Sequence, residues 1–142
     1  MSSAVATFHL RVIARRDELR RIRVYVSDSL APYISSSLAR AITLAVDEAA
    51  SNVVVHAYEG TIAGPLDVQI TVWETRIDIE LIDEGTPLTG FQLPADHPPL
   101  RLIAGKRGGL GLPLMRKLMD SVRIERVGNR NRCLLSCRRD KN

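Results

Sequence analysis

The sequence predicts an α+β protein, a two-layer sandwich with helices on one face of a mostly antiparallel, mixed sheet. Three observations carry this. Helical spacing and strand alternation come in runs, not in strict alternation, so a doubly wound parallel sheet is not expected. Two strongly alternating segments, 66–72 and 77–81, are separated by a few residues that include Glu74-Thr75, which reads as a hairpin. Two further strand patterns near the end, 122–127 and 132–138, flank the turn Gly128-Asn129-Arg130-Asn131. The 142 residues fit a single domain spanning 1–142. A chain of this size buries about two-thirds of its unfolded surface and needs no disulfide or metal to hold it.

In chain order, residues 5–14 alternate, with Ala6, Phe8, Leu10 and Val12 on one face, so they form a strand. From Ala14 to about Leu30, the spacing of Leu19, Ile22, Val26 and Leu30 gives an amphipathic helix, and Pro32 breaks it. The Ser35-Ser36-Ser37 run caps a second helix that carries Leu38, Ile42, Ala45, Ala49 and Val53 and runs to about Ala57. Residues 59–65 are turn-rich and lead into the hairpin. Its second strand runs into Asp83-Glu84-Gly85-Thr86-Pro87. Residues 86–107 then show no period and contain Pro87, Pro94, Pro98 and Pro99. A segment of that length without regular structure is uncommon in a small domain and is usually functional. A helix opens at Gly108-Gly109-Leu110-Gly111-Leu112-Pro113, with Leu114, Leu118 and Met119 on its buried side.

Composition narrows the function classes. With 45% hydrophobic and 25% charged residues the chain reads as an ordinary globular protein. No apolar run approaches the roughly 18 residues of a membrane span, so no membrane partner is expected. The N-terminus lacks a charged region followed by an apolar one, so a cytoplasmic location without a leader is expected. Cys133 and Cys137 lie four apart in a strand, too far apart for an easy bridge. With only His9, His56 and His97 besides, a zinc site is not expected, and the two thiols read as small core residues. Net charge is +4, and Arg11, Arg15, Arg16, Arg20, Arg21 and Arg23 cluster early. Such a run is a solvated face, a docking surface for an acidic partner, or a nucleic-acid surface. No aromatic residue interleaves it to stack bases, so direct nucleic-acid binding is not expected.

Three places carry candidate chemistry. On the second helix Glu48, Asn52 and His56 are spaced by four and form one ridge along the border of the apolar face. A carboxylate and an amide held there are costly without partners. Their oxygens suit Mg²⁺ and a phosphorylated ligand, although nearby backbone can also satisfy them. Asp83 emerges from a strand end as an acceptor for an exocyclic amine such as that of adenine, and Gly85 permits close approach. An ordinary Asp-Glu-Gly turn reads the same way. The glycines before the last helix offer free N–H groups and a helix start, which attract phosphate, with Lys106 and Arg107 beside them. No Gly-Lys-Ser/Thr follows, and no βαβ unit surrounds the cluster, so it is neither a P-loop nor a dinucleotide fingerprint.

Taken together and in this order, the motifs Glu48-Ala49-Ala50-Ser51-Asn52 with His56-Ala57-Tyr58, Asp83-Glu84-Gly85-Thr86-Pro87, Gly108-Gly109-Leu110-Gly111-Leu112 with Met119-Asp120, and the Gly128 to Asn131 turn carry a resemblance. The chain resembles the ATP-binding domain shared by gyrase B, histidine kinases and MutL, the GHKL or Bergerat-fold superfamily. Within it, the chain is similar to the anti-sigma-factor serine/threonine kinases of bacterial partner switching. The resemblance implies that Asn52 holds Mg²⁺, Asp83 reads adenine, Gly85 lines its pocket, and residues 86–111 form an ATP lid. Arg107, Gly108, Gly109, Leu110 and Gly111 would bind the nucleotide, and Glu48 would be the catalytic base. It implies ATP and Mg²⁺ as cofactors, with a sigma factor and a STAS-domain antagonist of the anti-sigma factor as partners, and it suggests a homodimer. The implied function is phosphorylation of a serine or threonine on that antagonist, together with sequestration of the sigma factor. The alternative is an ATP-binding anti-sigma or regulatory module without transfer. Leu88 departs from the family pattern, where an aromatic residue often follows the Pro. Histidine kinases need an upstream hairpin bearing the phospho-accepting His, and gyrase-type machines a downstream transducer. The expectation from the chain's length is therefore a free-standing kinase.

Overall fold

The computed structural model describes residues 3–88 and 111–140. β1 (Ala6–Ile13) leads through a 3₁₀ turn (Arg16–Glu18) into α1 (Leu19–Leu30). α2 (Ser36–Asn52) follows and continues as a π-turn over Val53–Ala57. Then come β2 (Pro65–Val72), β3 (Arg76–Asp83), α3 (Gly111–Leu118), β4 (Ser121–Val127) and β5 (Arg130–Arg138). The first helix starts later than its apolar period suggests. Ala14 is still tied to the sheet, its N–H donating to Gly64 O at 2.8 Å, and α1 begins only after the 3₁₀ turn. The serine cap of α2 is as expected: Ser35 is extended, and its Oγ accepts from Leu38 N–H at 3.1 Å.

The five strands lie in the order β1-β2-β3-β5-β4. A mixed sheet was expected, but all four pairings are antiparallel. The reason is topological. Both β3 and β4 run antiparallel to β5, so they run the same way as each other, yet β5 inserts between them and no parallel pair forms. Both hairpins are tight. Trp73 N–H donates to Arg76 O at 2.8 Å across Glu74-Thr75. Val127 pairs with Arg130 across Gly128-Asn129, where Gly128 takes φ +61. A positive φ at the first turn position alone suits a type II′ turn, which glycine adopts without strain.

The strand face toward the helices is apolar for most of its length. Leu66, Val68, Ile70, Val72, Ile77, Ile79, Leu81, Leu135 and Cys137 are all buried there. α2 packs against α1 and α3 and buries Leu38, Ile42, Val46 and the small residues Ala39, Ala45, Ala49 and Ala50, which let its backbone sit close to its neighbours. The opposite sheet face is polar, with Asp67 bonded to His9 and Arg11, Ser136 to Asp78, and Arg132 to Glu80. Most of the early arginines are spent on exposed ion pairs: Arg11 with Asp67, Arg15 with Asp17, Arg21 with Glu18 and Arg23 with Asp47. Such pairs contribute little each. Their arrangement matches the solvated-face reading of the cluster. No helix among the described residues is long and apolar enough to cross a membrane.

Candidate functional site

Strand parity builds the site. Asp83 ends β3 on the helix-facing side, in register with Asn131 of β5, and Asn131 pairs in turn with Arg126 of β4. Three polar residues thus form a row across three adjacent strands on a face that is otherwise apolar. Asp83 and Asn131 are each 2% exposed. Polar groups are buried at such a place only with partners or for a ligand. Asp83 Oδ1 accepts from Gly85 N–H at 2.9 Å and from Asn131 Nδ2 at 2.7 Å. No hydrogen bond among the described residues falls on Oδ2, which leaves that oxygen for an incoming donor. Burial pushes the Asp83 carboxyl above the usual carboxylate range, while Asn131, Gly85 and Arg126 pull it back down.

Asn52 closes the opposite wall. It is 3% exposed at the last position of α2, and its Oδ1 is buried with no hydrogen-bond partner among the described residues. An unsatisfied buried acceptor costs about 1–3 kcal/mol, so a ligand, cation or water that bonds this oxygen recovers that cost. Asn52 and Asp83 line one narrow cleft of about 10 Å³, roughly the room of one water, whose other walls include Ala49, Val53, Leu88, Met115 and Asn131. Among the described residues no three His, Cys, Asp or Glu converge on a metal position. Mg²⁺ usually keeps several waters and takes phosphate oxygens with only one or two oxygen ligands from the protein, most often carboxylates; the amide oxygen of Asn52 is a hard donor that can serve as such a ligand.

The expected ridge is only partly present. Glu48 and Asn52 are one α-helical turn apart. The π-turn that follows uses five-residue spacing, so buried Ala57, not half-buried His56, comes above Asn52. The π-turn has a visible tether. Ala57 O accepts from Thr86 N–H at 2.7 Å and from Thr86 Oγ1 at 3.2 Å, joining the end of α2 to the end of β3. Tyr58 reinforces this: its hydroxyl donates to Pro65 O at 2.7 Å and accepts from Glu84 N–H at 2.8 Å. Gly85 has a role other than the one its motif suggests. A Cβ there would stand 2.1 Å from Ala57 O, so glycine is required by the packing of β3 against α2 before any ligand is considered. Glu48 is half-buried and is not among the described residues lining the cleft. Gly111 opens α3. Arg107, Gly108, Gly109 and Leu110 lie outside the described residues, as does most of the segment 86–107.

Asn131 and Arg126 complete the buried polar row, and the sequence marks Asn131 only as the end of the Gly128 turn and Arg126 not at all. Inward parity is the signal that finds them: β4 presents Val122, Ile124 and Arg126 to the helices, and β5 presents Asn131, Cys133, Leu135 and Cys137. Cys137 is buried as expected for a core thiol. Cys133 lines the cleft, and burial pushes its thiol up to about 12, so it stays protonated and unreactive at neutral pH.

A family model described as a histidine kinase-like ATPase domain matches residues 12–136. A serine-protein kinase RsbW of Bacillus pumilus is 30% identical over 133 residues, which cover 88% of this chain and 82% of that protein. The RsbW of Bacillus subtilis is 36% identical over 86 residues, 58% of this chain and 54% of its own length. An anti-sigma F factor of Caldanaerobacter subterraneus is 31% identical over 84 residues, 59% of this chain and 58% of that protein. The chain spans about half the length of several of the curated relatives it matches. Among solved structures, the RsbU and RsbW domains of a Mycobacterium tuberculosis protein share the fold, with a TM-score of 0.70 at 18% identity over 94% of this chain and 32% of that one.

Proposed function

The chain belongs to the histidine kinase-like ATPase domain family, and from that premise we propose that it is an ATP-dependent protein serine/threonine kinase, a single ATP-binding domain that also acts as an anti-sigma factor. Its phospho-acceptor is a STAS-domain antagonist, its sequestered partner a sigma factor, and its working form a dimer in the cytoplasm. The observation that carries the reading is the pairing of two buried oxygens in one cleft. Among the described residues, Asn52 Oδ1 has no hydrogen-bond partner and Asp83 Oδ2 takes no bond. One suits a phosphate-bound cation and the other the exocyclic amine of adenine.

Mg²⁺, when bound, neutralises phosphate charge. Asn52 is the residue that would hold it. The rest of the work falls to the chain's own groups, because phosphoryl transfer asks a protein mainly for positioning and electrostatic support. Asp83 orients the base. By the family resemblance, Gly108, Gly109, Leu110 and Gly111 would supply N–H groups to the phosphates, and Arg107 a positive charge. Glu48, one turn before Asn52, accepts the proton of the acceptor serine as its oxygen bonds to the γ-phosphorus and the bond to ADP breaks.

Base recognition is testable at one atom. In Asp83→Asn the Oδ1 position stays with Gly85 N–H and Asn131 Nδ2, both donors, so the free position becomes an NH₂ facing the amine of adenine. ATP affinity should fall about 10–100-fold, the worth of a charge-assisted hydrogen bond. The preference over GTP, whose base offers a carbonyl there, should shrink. The nucleotide-free variant should melt no lower than the parent. The sign follows from the raised carboxyl: ionised Asp83 costs stability above its folded pKa, and a neutral side chain removes that cost. Calorimetric titration with ATP and GTP checks the affinities; equal binding of both nucleotides by the parent protein contradicts the assignment.

A further inference from the structure

Asn131 makes four hydrogen bonds through one buried side chain. Nδ2 donates to Asp83 Oδ1 at 2.7 Å and to Thr86 O at 2.8 Å. Oδ1 accepts from Leu88 N–H at 3.2 Å and from Arg126 Nη1 at 3.3 Å. A primary amide has two donor hydrogens and two acceptor lone pairs, so its capacity is fully used. Arg126 extends the network. The same Nη1 donates to Gly85 O at 2.7 Å, and Nε donates to Gly128 O at 3.2 Å.

The distribution of these bonds is informative. One arm of the amide holds the oxygen of Asp83 that is not offered to a ligand. The rest holds the backbone of Thr86 and Leu88, the first residues leading out of the site. A hydrophobic residue of similar size would fill the volume equally well and bury no polar atoms. The amide is therefore not explained by packing.

We propose that Asn131 is a positioning residue for base recognition: it fixes the Asp83 carboxylate so that Oδ2 alone is presented, and it anchors Thr86–Leu88 to the same side chain. Base readout and the exit of the chain from the site are then set by one group. This rests on the reading of Asp83 as the adenine acceptor. Arg126 is the outer support, holding Asn131 Oδ1 and Gly85 O from β4.

The test uses the full chain with Asn131→Leu. Calorimetry compares ATP with inosine triphosphate, which carries a carbonyl where adenine carries its amine. Hydrogen exchange reads the Leu88 amide without nucleotide. ATP affinity should fall about tenfold while inosine triphosphate stays within about twofold, and Leu88 exchange should quicken about tenfold, the worth of one lost hydrogen bond. A general weakening of the fold would lower both nucleotides together, and that equal loss overturns the proposal. Unchanged Leu88 exchange overturns it as well. If Asn131→Leu does not fold, Arg126→Met removes only the outer support. It should lower the ATP-to-inosine-triphosphate ratio in the same direction by a smaller factor, and an unchanged ratio counts against the proposal. A parent protein that binds neither nucleotide sinks the kinase reading instead, while Leu88 exchange still reports on the anchoring by Asn131.

Discussion

Glu48→Gln is expected to slow phosphate transfer to the acceptor serine by roughly 10²–10⁴, the usual worth of general-base assistance, while ATP affinity stays within about twofold. Glutamine keeps the shape and most hydrogen bonding of glutamate but cannot take a proton at neutral pH. Glu48 stands one turn before Asn52 on α2, half-buried, outside the described lining of the cleft that holds Asn52 and Asp83. A residue so placed can meet an incoming hydroxyl without contacting the base. Single-turnover transfer and calorimetric ATP binding should be measured on the same preparation. If affinity and rate fall together, Glu48 orients the nucleotide or its metal and is not the base. A normal rate in the variant removes it from the mechanism.

Asn52→Ala is expected to abolish measurable transfer and to make ATP binding insensitive to Mg²⁺. The parent should bind ATP more tightly with Mg²⁺ than with a chelator, by at least about the 10–100-fold that loss of supporting groups costs metal sites, and in the variant this difference should vanish. The fold should tolerate the change. The deleted Oδ1 has no partner among the described residues, so its removal relieves a desolvation cost that partly offsets the lost packing. Titrations with and without Mg²⁺ check this independently of catalysis. A variant that keeps the Mg²⁺ enhancement places the cation elsewhere.

The order of elements was legible because each segment's polarity period agrees with its final structure. The alternation of residues 66–72 and 77–81 became a hairpin, and the Ser35 cap, the break at Pro32 and the Gly128 turn all fell where their side chains dictate. Three features were not legible, each because it depends on a distant contact. α1 starts late because Ala14 bonds to Gly64, fifty residues away in the chain. The ridge on α2 ends at Asn52 because the turn over Val53–Ala57 widens to five-residue spacing, and the carbonyl at its end, Ala57 O, is tied to Thr86. The sheet is wholly antiparallel because β5 inserts between β3 and β4.

The site divides in the same way. Asn52 and Asp83 could be picked from the sequence as polar residues at the edges of apolar elements, and the fold brings them into one cleft. Gly85 has a packing reason that the sequence does not show, since a Cβ there would meet the Ala57 carbonyl. Asn131 is visible in sequence only as the end of the Gly128 turn, with no role of its own, and Arg126 stands in no recognisable run. Only the strand register shows that Asn131 faces Asp83 and Arg126 faces Asn131. Buried polar residues at inward positions of otherwise apolar strands are the general signal, and they are visible once the pairing is known.

Incubation of the chain with γ-labelled ATP, Mg²⁺ and the STAS-domain antagonist encoded by the same host tests the central claim most directly. The account predicts label on a single serine or threonine of the antagonist, ADP released in equal amount, and both signals slowed by roughly 10²–10⁴ in Glu48→Gln. Tight binding of ATP and of a sigma factor with no label on the antagonist would contradict it and leave an ATP-regulated binding module in its place.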